Sequence, residues 1–206
     1  MTIGIINYGL GNLGSVTRAL NHIGEQSQII TSIDEADICS HIILPGVGGF
    51  SEAMNLIKQK NVDQMLVKIQ QENKPLLGIC LGMQLLADHG FEGEDTAGLG
   101  FIGGNVKKLY ADNKVHKVPH IGWSEITITN PSPLFKGIAD QTDFYFVHSY
   151  VFDAENDDHV ISTTSHSTPF VSAVQKGNCF GVQFHPEKSS KGGLKLLQNF
   201  CELRSC

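Results

Sequence analysis

Cys80 stands out because its neighbours favour chemistry over simple packing. It lies in the segment Gly78-Ile-Cys-Leu-Gly82, between an apolar run and a helical pattern. This G-x-C-x-G arrangement is the cysteine version of a nucleophile elbow, a tight strand-to-helix turn. The apex residue of such a turn has a strained backbone, so its neighbours must be small. The turn would present the Cys80 sulfur above the sheet edge, at a helix N-terminus that favours the thiolate.

The same turn has a second chemical consequence. The backbone N–H of Leu81 is expected to point towards an oxyanion that forms when Cys80 attacks a carbonyl group. The alternative for this segment is a buried cysteine whose flanking glycines only permit close packing. A partner base elsewhere in the chain is therefore needed to choose between the two.

His185 and Glu187 supply the residue types that a cysteine nucleophile needs. They belong to His185-Pro-Glu187, directly after the strand-like residues 180–184. In an extended chain, residues two apart lie on the same side, and the proline restricts the backbone between them. His185 is then a candidate general base and Glu187 a candidate to orient the imidazole. The alternative is a loop histidine beside a solvated glutamate.

The elements that must position these residues are those of an α/β fold. Apolar runs at residues 3–6, 28–30, 41–44 and 75–79 alternate with helical patterns at 12–23, 50–71 and 81–89. This order predicts right-handed crossovers and a parallel sheet with helices on both faces. Six strand-like segments follow, at residues 106–109, 124–129, 144–147, 159–163, 171–174 and 180–184, and a helix is expected at 192–203. The predicted fold is a doubly wound, mostly parallel mixed sheet in a single domain spanning residues 1–206.

Composition narrows the classes of function. The formal net charge is −6 and no stretch concentrates Lys or Arg, which argues against a nucleic-acid partner. The five cysteines include no CxxC pair, which is typical of free thiols in a reducing compartment. No signal peptide or membrane span is evident, so we expect a cytoplasmic protein. No His or Cys cluster has metal-ligand spacing, and neither a metal nor a cofactor is expected.

Taken together, these motifs resemble class I (triad-type) glutamine amidotransferases. Gly78-Ile-Cys-Leu-Gly-Met-Gln84 and His185-Pro-Glu187 are similar to the signatures of that family. Within it, one branch contains the glutaminase subunits of imidazole glycerol phosphate synthase, from histidine biosynthesis. Three further segments resemble that branch: Pro45-Gly-Val-Gly48, Pro119-His-Ile-Gly-Trp123 and Phe144-Tyr-Phe-Val-His-Ser-Tyr150. The resemblance spans nearly the whole chain and implies a flavodoxin-like core.

The resemblance implies a role for each matching residue. Cys80, His185 and Glu187 would form the catalytic triad of a glutaminase. The N–H groups of Val47 and Leu81 would form the oxyanion hole, the first after a flip of the Gly46–Val47 peptide. The residues expected to bind glutamine are Gly48, Gln84, Glu92, Ser149 and Tyr150. For Gln84 and Glu92 the alternative is ordinary helix-surface polarity, and for Tyr150 a core aromatic.

A partner is also implied by the resemblance. Ammonia would pass within a heterodimer to a (β/α)8-barrel cyclase, at an interface that includes Asn12, Trp123, Tyr145 and Lys188. Trp123 could instead be packed in the core, and Lys188 could be a solvated charge. The family usually has Gly-Trp-Asn where this chain has Gly-Trp-Ser124. That difference keeps open a paralogous glutaminase that supplies ammonia for acetamidino-sugar synthesis.

Other interpretations compete with this one. Gly9-Leu-Gly-Asn-Leu-Gly14, with Asp34 twenty residues further on, matches a dinucleotide-binding fingerprint. That interpretation leaves Cys80 and His185 unexplained. A thiol peptidase or γ-glutamyl hydrolase on the same fold would also use Cys and His, whereas Gln84 favours glutamine. A non-catalytic subunit would not need the complete triad. His148 is a possible second base, which we interpret as structural.

Overall fold

The first half of the chain forms parallel strands joined by helices. The computed structural model describes residues 2–110, 112 and 117–203. In chain order the first elements are β1 (Thr2–Ile6), α1 (Leu13–His22), β2 (Gln26–Ile30), α2 (Ile33–Asp37), β3 (His41–Gly46), α3 (Phe50–Gln59), α4 (Val62–Gln71), β4 (Leu76–Cys80) and α5 (Leu81–Gln84). The four strands pair in parallel in the order β2-β1-β3-β4. The predicted parallel half is thus confirmed.

The second half is mainly antiparallel. Its elements are β5 (His89–Gly90), β6 (Thr96–Ala97), β7 (Gly104–Lys108), β8 (His120–Glu125), β9 (Thr127–Ile128), β10 (Asp143–His148), β11 (Tyr150–Ala154), β12 (Val160–His166), β13 (Thr168–Lys176), β14 (Cys179–Val182) and α6 (Ser190–Cys201). Short 3-10 helices occur at Pro133–Phe135, Asp157–His159 and Pro186–Lys188. Twelve of the described strands form one sheet, while β8 and β10 form a separate antiparallel ribbon.

The last strand returns to the centre of the sheet. β14 pairs in parallel with β4 on one side and antiparallel with β13 on the other. In this register Val182 lies beside Ile79. The chain therefore leaves β14 at the same sheet edge where β4 ends at Cys80, which brings the two predicted motifs together.

Apolar side chains cover both faces of the sheet. Along β1, Ile3 and Ile5 belong to a buried cluster with residues of α1 and α6. Ile6 belongs to a second cluster, which includes residues of α3 and α4. The two clusters confirm the doubly wound arrangement, since a sheet covered on both faces needs apolar residues on both.

The helix predicted at residues 81–89 is wrong beyond Gln84. After α5 the carbonyl groups of Leu85, Leu86 and Ala87 accept hydrogen bonds from the backbone of residues 99–102 instead of continuing a helix. A helix of four residues has little macrodipole, because that dipole is a sum over aligned peptide units. Support for a thiolate at Cys80 must therefore come mainly from other groups near the sulfur.

Helix length bears on membrane insertion. Among the described residues the longest helix is α6, which has 12 residues. Within the described ranges, no helix combines the length and the apolar character required to cross a bilayer.

Glycine at position 82 is required by close backbone approach, and this can be tested. A Cβ on Gly82 would overlap the carbonyl oxygen of Leu44, a backbone atom that cannot move aside. We expect Gly82→Ala to lower the free energy of unfolding by about 1–3 kcal/mol or more, as overpacking does. Chemical denaturation monitored by circular dichroism measures this change.

Gly14→Ala is the matched control for that substitution. Gly14 is exposed in α1, and its Cβ would meet only the flexible end of Arg18, 3.4 Å away. Because alanine favours helix, we expect this variant to be stabilised by up to about 1 kcal/mol. Equal stability losses at both positions would contradict the packing argument for Gly82.

Candidate active site

Cys80 lies at the apex of a strained turn between β4 and α5. Its backbone has φ +55° and ψ −110°, a conformation that non-glycine residues rarely adopt. Close contacts on both sides hold this turn in place. A Cβ on Gly78 would lie 2.5 Å from the Gly82 carbonyl oxygen, and Cys80 itself pairs with Gly46 of β3. The predicted nucleophile elbow is present, and 7% of the Cys80 surface remains exposed.

His185 and Glu187 form a buried pair beside this turn. His185 follows β14, and Glu187 lies in the 3-10 helix Pro186–Lys188. His185 Nδ1 lies 2.8 Å from Glu187 Oε1, and the two side chains are 2% and 1% exposed. Since a carboxylate only accepts hydrogen bonds, Nδ1 carries a proton and donates it to Glu187. A neutral His185 would therefore have its lone pair on Nε2, the tautomer that a general base for Cys80 needs.

The charges of the site act on His185. Burial has the largest single effect and lowers its pKa, but the interactions with Cys80 and Glu187 together outweigh burial and raise the pKa to about 9. Among the described residues, His185 Nε2 has no partner that meets hydrogen-bond geometry. We therefore attribute the Cys80 contribution to the nearby sulfur charge and not to a formed hydrogen bond. Such catalytic contacts commonly shorten only when substrate binds.

A cavity of about 310 Å³ opens beside the thiol. Ten of the residues predicted for the site lie along its wall: Val47, Gly48, Cys80, Leu81, Gln84, Glu92, Ser149, Tyr150, His185 and Lys188. The wall also contains three residues that the sequence did not single out for this role, namely Pro119, Val147 and His148. Glu187 lies behind His185 and is not part of the wall. The size of the cavity is at the lower end of the range for small-molecule pockets.

Gln84 is buried and is not an ordinary surface polar residue. Its Nε2 group donates to the Tyr150 carbonyl oxygen and to Gln183 Oε1, each at 2.9 Å. Both Nε2 hydrogens are therefore engaged. The side chain can offer a ligand only its Oε1 oxygen, which is a hydrogen-bond acceptor.

Glu92 connects the cavity wall to a helix start. Its Oε2 atom accepts a hydrogen bond of 2.7 Å from the backbone N–H of Phe50, the first residue of α3. The N-cap of that helix is Gly49, which has no side chain to do this. A carboxylate at this position satisfies an unpaired N–H and interacts favourably with the positive end of α3.

Three of the predicted interface residues form a cluster on the outer side of the β8–β10 ribbon. Trp123 is 51% exposed and pairs directly with Tyr145, with a ring-centroid distance of 6.0 Å. Lys188 Nζ lies 5.7 Å from the centre of the Tyr145 ring. The alternative of a core-packed Trp123 is thus wrong. Asn12 acts as the N-cap of α1, accepting from Ser15 N at 3.3 Å.

His148 belongs to a buried polar chain. Its Nδ1 atom lies 2.9 Å from the Tyr150 carbonyl oxygen and its Nε2 atom 3.2 Å from His120 Nδ1. Burial, the largest effect, lowers the pKa of His148 to about 3. Both ring nitrogens are engaged away from the thiol, which agrees with a structural role. His120 Nε2 in turn lies 3.0 Å from Ser124 Oγ, so Ser124 faces inward, opposite to Trp123.

Gln183 is the most important residue that sequence reasoning missed. It is fully buried, with Nε2 3.7 Å from Cys80 Sγ and Oε1 accepting from Gln84. The available signal was a polar residue inside an otherwise apolar strand, between Val182 and Phe184. Buried polar side chains normally have hydrogen-bond partners, so this position pointed to a polar neighbour.

The glycine-rich loop after β1 is explained by its packing. Gly9 and Gly11 have φ values of +114° and +144°, and a Cβ on Gly11 would lie 3.3 Å from Pro45. Asp34 lies in the first turn of the short helix α2.

Over the part of the chain that the structure describes, no group of three or more His, Cys, Asp or Glu residues is placed to hold a metal ion.

Comparison with known proteins places this chain in a family. The profile of the glutamine amidotransferase class-I family matches residues 4–203. The imidazole glycerol phosphate synthase subunit HisH of Moorella thermoacetica is 45% identical over 201 residues, covering 98% of this chain and 94% of the relative. The HisH subunit of Shouchella clausii is also 45% identical, and the match covers 98% of each chain.

Solved structures agree at the level of the fold. The structure of PurLQS from Thermotoga maritima has a TM-score of 0.76 at 19% identity, covering 97% of each chain. A glutamine amidotransferase from Thermotoga maritima has a TM-score of 0.65 at 19% identity, covering 98% of this chain and 83% of the other. The chain belongs to the class-I glutamine amidotransferase family, in the group of imidazole glycerol phosphate synthase HisH subunits.

Proposed function

We propose that this chain hydrolyses L-glutamine to glutamate and ammonia for a cyclase that makes imidazole glycerol phosphate and AICAR in histidine biosynthesis. One observation supports this most strongly: a strained Cys80 shares the wall of a small cavity with His185, which is oriented by buried Glu187. We further propose that residues 1–206 form one glutamine amidotransferase domain. The free thiols at Cys39, Cys80, Cys179 and Cys201 favour the cytoplasm as its location.

The reaction begins with nucleophilic attack. The Cys80 thiolate attacks the side-chain amide carbon of glutamine, and the carbonyl oxygen becomes an oxyanion. The N–H groups of Leu81 and, after a flip of the Gly46–Val47 peptide, of Val47 stabilise that charge. His185 gives a proton to the departing ammonia, leaving a thioester on Cys80. Water activated by His185 then hydrolyses the thioester to glutamate.

Binding of glutamine uses the polar residues of the cavity wall. Gln84 presents its Oε1 acceptor, which suits the α-ammonium group of an amino acid. Glu92 adds a negative charge, while Gly48, Ser149 and Tyr150 contact the same end of the substrate. A cavity of about 310 Å³ matches a free amino acid better than a polypeptide, which argues against a thiol peptidase.

Ammonia released into water would mostly become unreactive ammonium, so we propose transfer inside a heterodimer with a (β/α)8-barrel cyclase. The relatives are named as subunits of imidazole glycerol phosphate synthase. The exposed Trp123, with Tyr145 and Lys188, provides an aromatic and cationic surface of the kind common in interface centres. Asn12, the N-cap of α1, is a further part of this interface. Because Ser124 faces inward, its difference from the family pattern does not alter this outer surface.

Cys80→Ala tests the nucleophile. We expect glutamate release to fall by at least about 10⁴-fold, because the covalent step is lost. Synthesis by the cyclase complex with added ammonium salts should be retained. Cys39→Ala, which removes a buried thiol packed between β2 and α2, is the control and should keep glutaminase activity. Comparable glutamate release by Cys80→Ala, measured in a coupled glutamate dehydrogenase assay, would refute the assignment.

The raised pKa of His185 predicts the shape of the pH profile. His185 remains protonated up to about pH 9, so kcat/KM should fall above that pH as the acid for ammonia departure is lost. Burial lowers the pKa of His185, and the Glu187 carboxylate opposes that effect. In the Glu187→Gln variant this negative charge is lost, so the pKa of His185 should drop. The alkaline limb should then move to lower pH, and kcat/KM should fall at least about tenfold. If the alkaline limb did not move in steady-state assays from pH 6 to 10, this expectation would be contradicted. Glu72→Gln, at the C-cap of α4, is the control.

Dependence on the partner is the direct test of the pathway. We expect the isolated chain to hydrolyse glutamine slowly, and the cyclase with its substrate to accelerate it by about 10²–10³-fold, the value of one oxyanion donor. Trp123→Ala should weaken the complex at least about tenfold in isothermal titration calorimetry. Hydrolysis without any stimulation would favour the acetamidino-sugar pathway. High activity of the chain alone would refute gating by the partner.

A further inference from the structure

The carboxamide of Gln183 is buried against the reacting sulfur. Gln183 follows the end of β14, two residues before His185, and its exposed fraction is 0%. Its Nε2 atom lies 3.7 Å from Cys80 Sγ, within the range for an N–H to sulfur hydrogen bond. Its Oε1 atom accepts from Gln84 Nε2 at 2.9 Å. One side chain thus touches both the nucleophile and a residue of the cavity wall.

The orientation of this carboxamide is set by a backbone carbonyl group. Tyr150 O can only accept, so the group that Gln84 directs at it must be Nε2. Gln84 Nε2 also reaches Gln183, which must therefore offer its oxygen. The Nε2 group of Gln183 is then left facing Cys80. The direction of the hydrogen bonds from Tyr150 to Cys80 therefore follows from which of these groups can donate and which can only accept.

A second contact shows what the sulfur loses on ionisation. As a thiol, Cys80 Sγ donates to the Val147 carbonyl oxygen at 3.9 Å. A thiolate has no proton to donate, and the carbonyl oxygen then faces a like partial charge. The Gln183 N–H changes in the opposite sense, because hydrogen bonds to an ionised acceptor are stronger than neutral ones. The Val147 carbonyl group thus favours the thiol and the Gln183 N–H group favours the thiolate, so without Gln183 the contact that opposes ionisation is not offset.

We propose that Gln183 is a catalytic residue whose Nε2–H stabilises the Cys80 thiolate and aims the sulfur into the cavity. This deepens the proposed glutaminase function and rests on it for the identity of the substrate. Gln183 is hydrogen-bonded to Gln84 and also contacts Cys80 Sγ. It therefore fixes the position of the attacking sulfur relative to a ligand that binds Gln84. The short helix α5 has a small macrodipole and adds little, so the thiolate depends on neighbouring side chains such as this one.

Gln183→Met tests the role directly, because it keeps the length of the side chain and removes the donor. The readout is the rate of Cys80 alkylation by iodoacetamide against pH, quantified on the Cys80 peptide by mass spectrometry. We expect the midpoint of that profile to move about one to two units upward, the equivalent of one charge-assisted hydrogen bond. The kcat for glutamine should fall roughly 10- to 100-fold, by a larger factor than KM rises.

Two further variants make the result decisive. Gln183→Asn keeps a buried amide but withdraws the donor from the sulfur, and it should shift the profile in the same direction if Gln183→Met does not fold. Gln175→Met on β13, where Nε2 donates to Gly177 O, should leave the profile unchanged. Folding of each variant is checked by circular dichroism and thermal unfolding.

The outcomes separate this proposal from the proposed function. An unchanged alkylation midpoint in folded Gln183→Met or Gln183→Asn would overturn the role of Gln183, even if activity fell. The alkylation midpoint could also shift in the variants while the unsubstituted protein, assayed with its cyclase, releases no glutamate. The shift would still support Gln183 as the group that activates the thiol. That second result would refute glutamine as the substrate.

Discussion

The parallel pairing of β14 with β4 is the constraint on which the site depends. Cys80 and His185 are more than a hundred residues apart in sequence, yet Cys80 ends β4 and His185 follows β14 at the same edge of the sheet. Parallel neighbours leave a sheet side by side, so the strand order alone brings the nucleophile to its base. The antiparallel strands of the second half then supply the remaining walls, chiefly through β10 and β11. The backbone topology thus brings the reactive residues to one site, whatever their side chains contact.

Polar atoms inside this fold form a connected network. The Tyr150 carbonyl oxygen accepts from both Gln84 and His148, and Gln183 continues the network to the sulfur. A buried polar group without a partner is costly, so each member restricts the orientation of the next. The network has a defined direction, because it contains groups that can only accept. It ends with an N–H group of Gln183 at the Cys80 sulfur, and in this way the buried network affects the reactivity of the thiol.

The sequence predicted those features that local geometry determines. The elbow at Cys80 and the His185–Glu187 pair were recognisable because each motif carries its own backbone requirement within a few residues. Gln183 and the capping role of Glu92 depend on contacts between residues far apart in sequence, which spacing does not reveal. The helix expected after Cys80 failed for the same reason, since the loop at residues 99–102 captures its carbonyl groups.

The contact between Glu92 and the start of α3 has a consequence for the thermodynamics of recognition. A free glutamate side chain loses about 1.5–2 kcal/mol of rotamer entropy when it is fixed. Here that loss is already incurred on folding, because Oε2 is held by the Phe50 N–H. An arriving ligand meets a carboxylate that is immobilised beforehand, so the association is less opposed by side-chain ordering. Helix capping and molecular recognition are thus served by one rigid group.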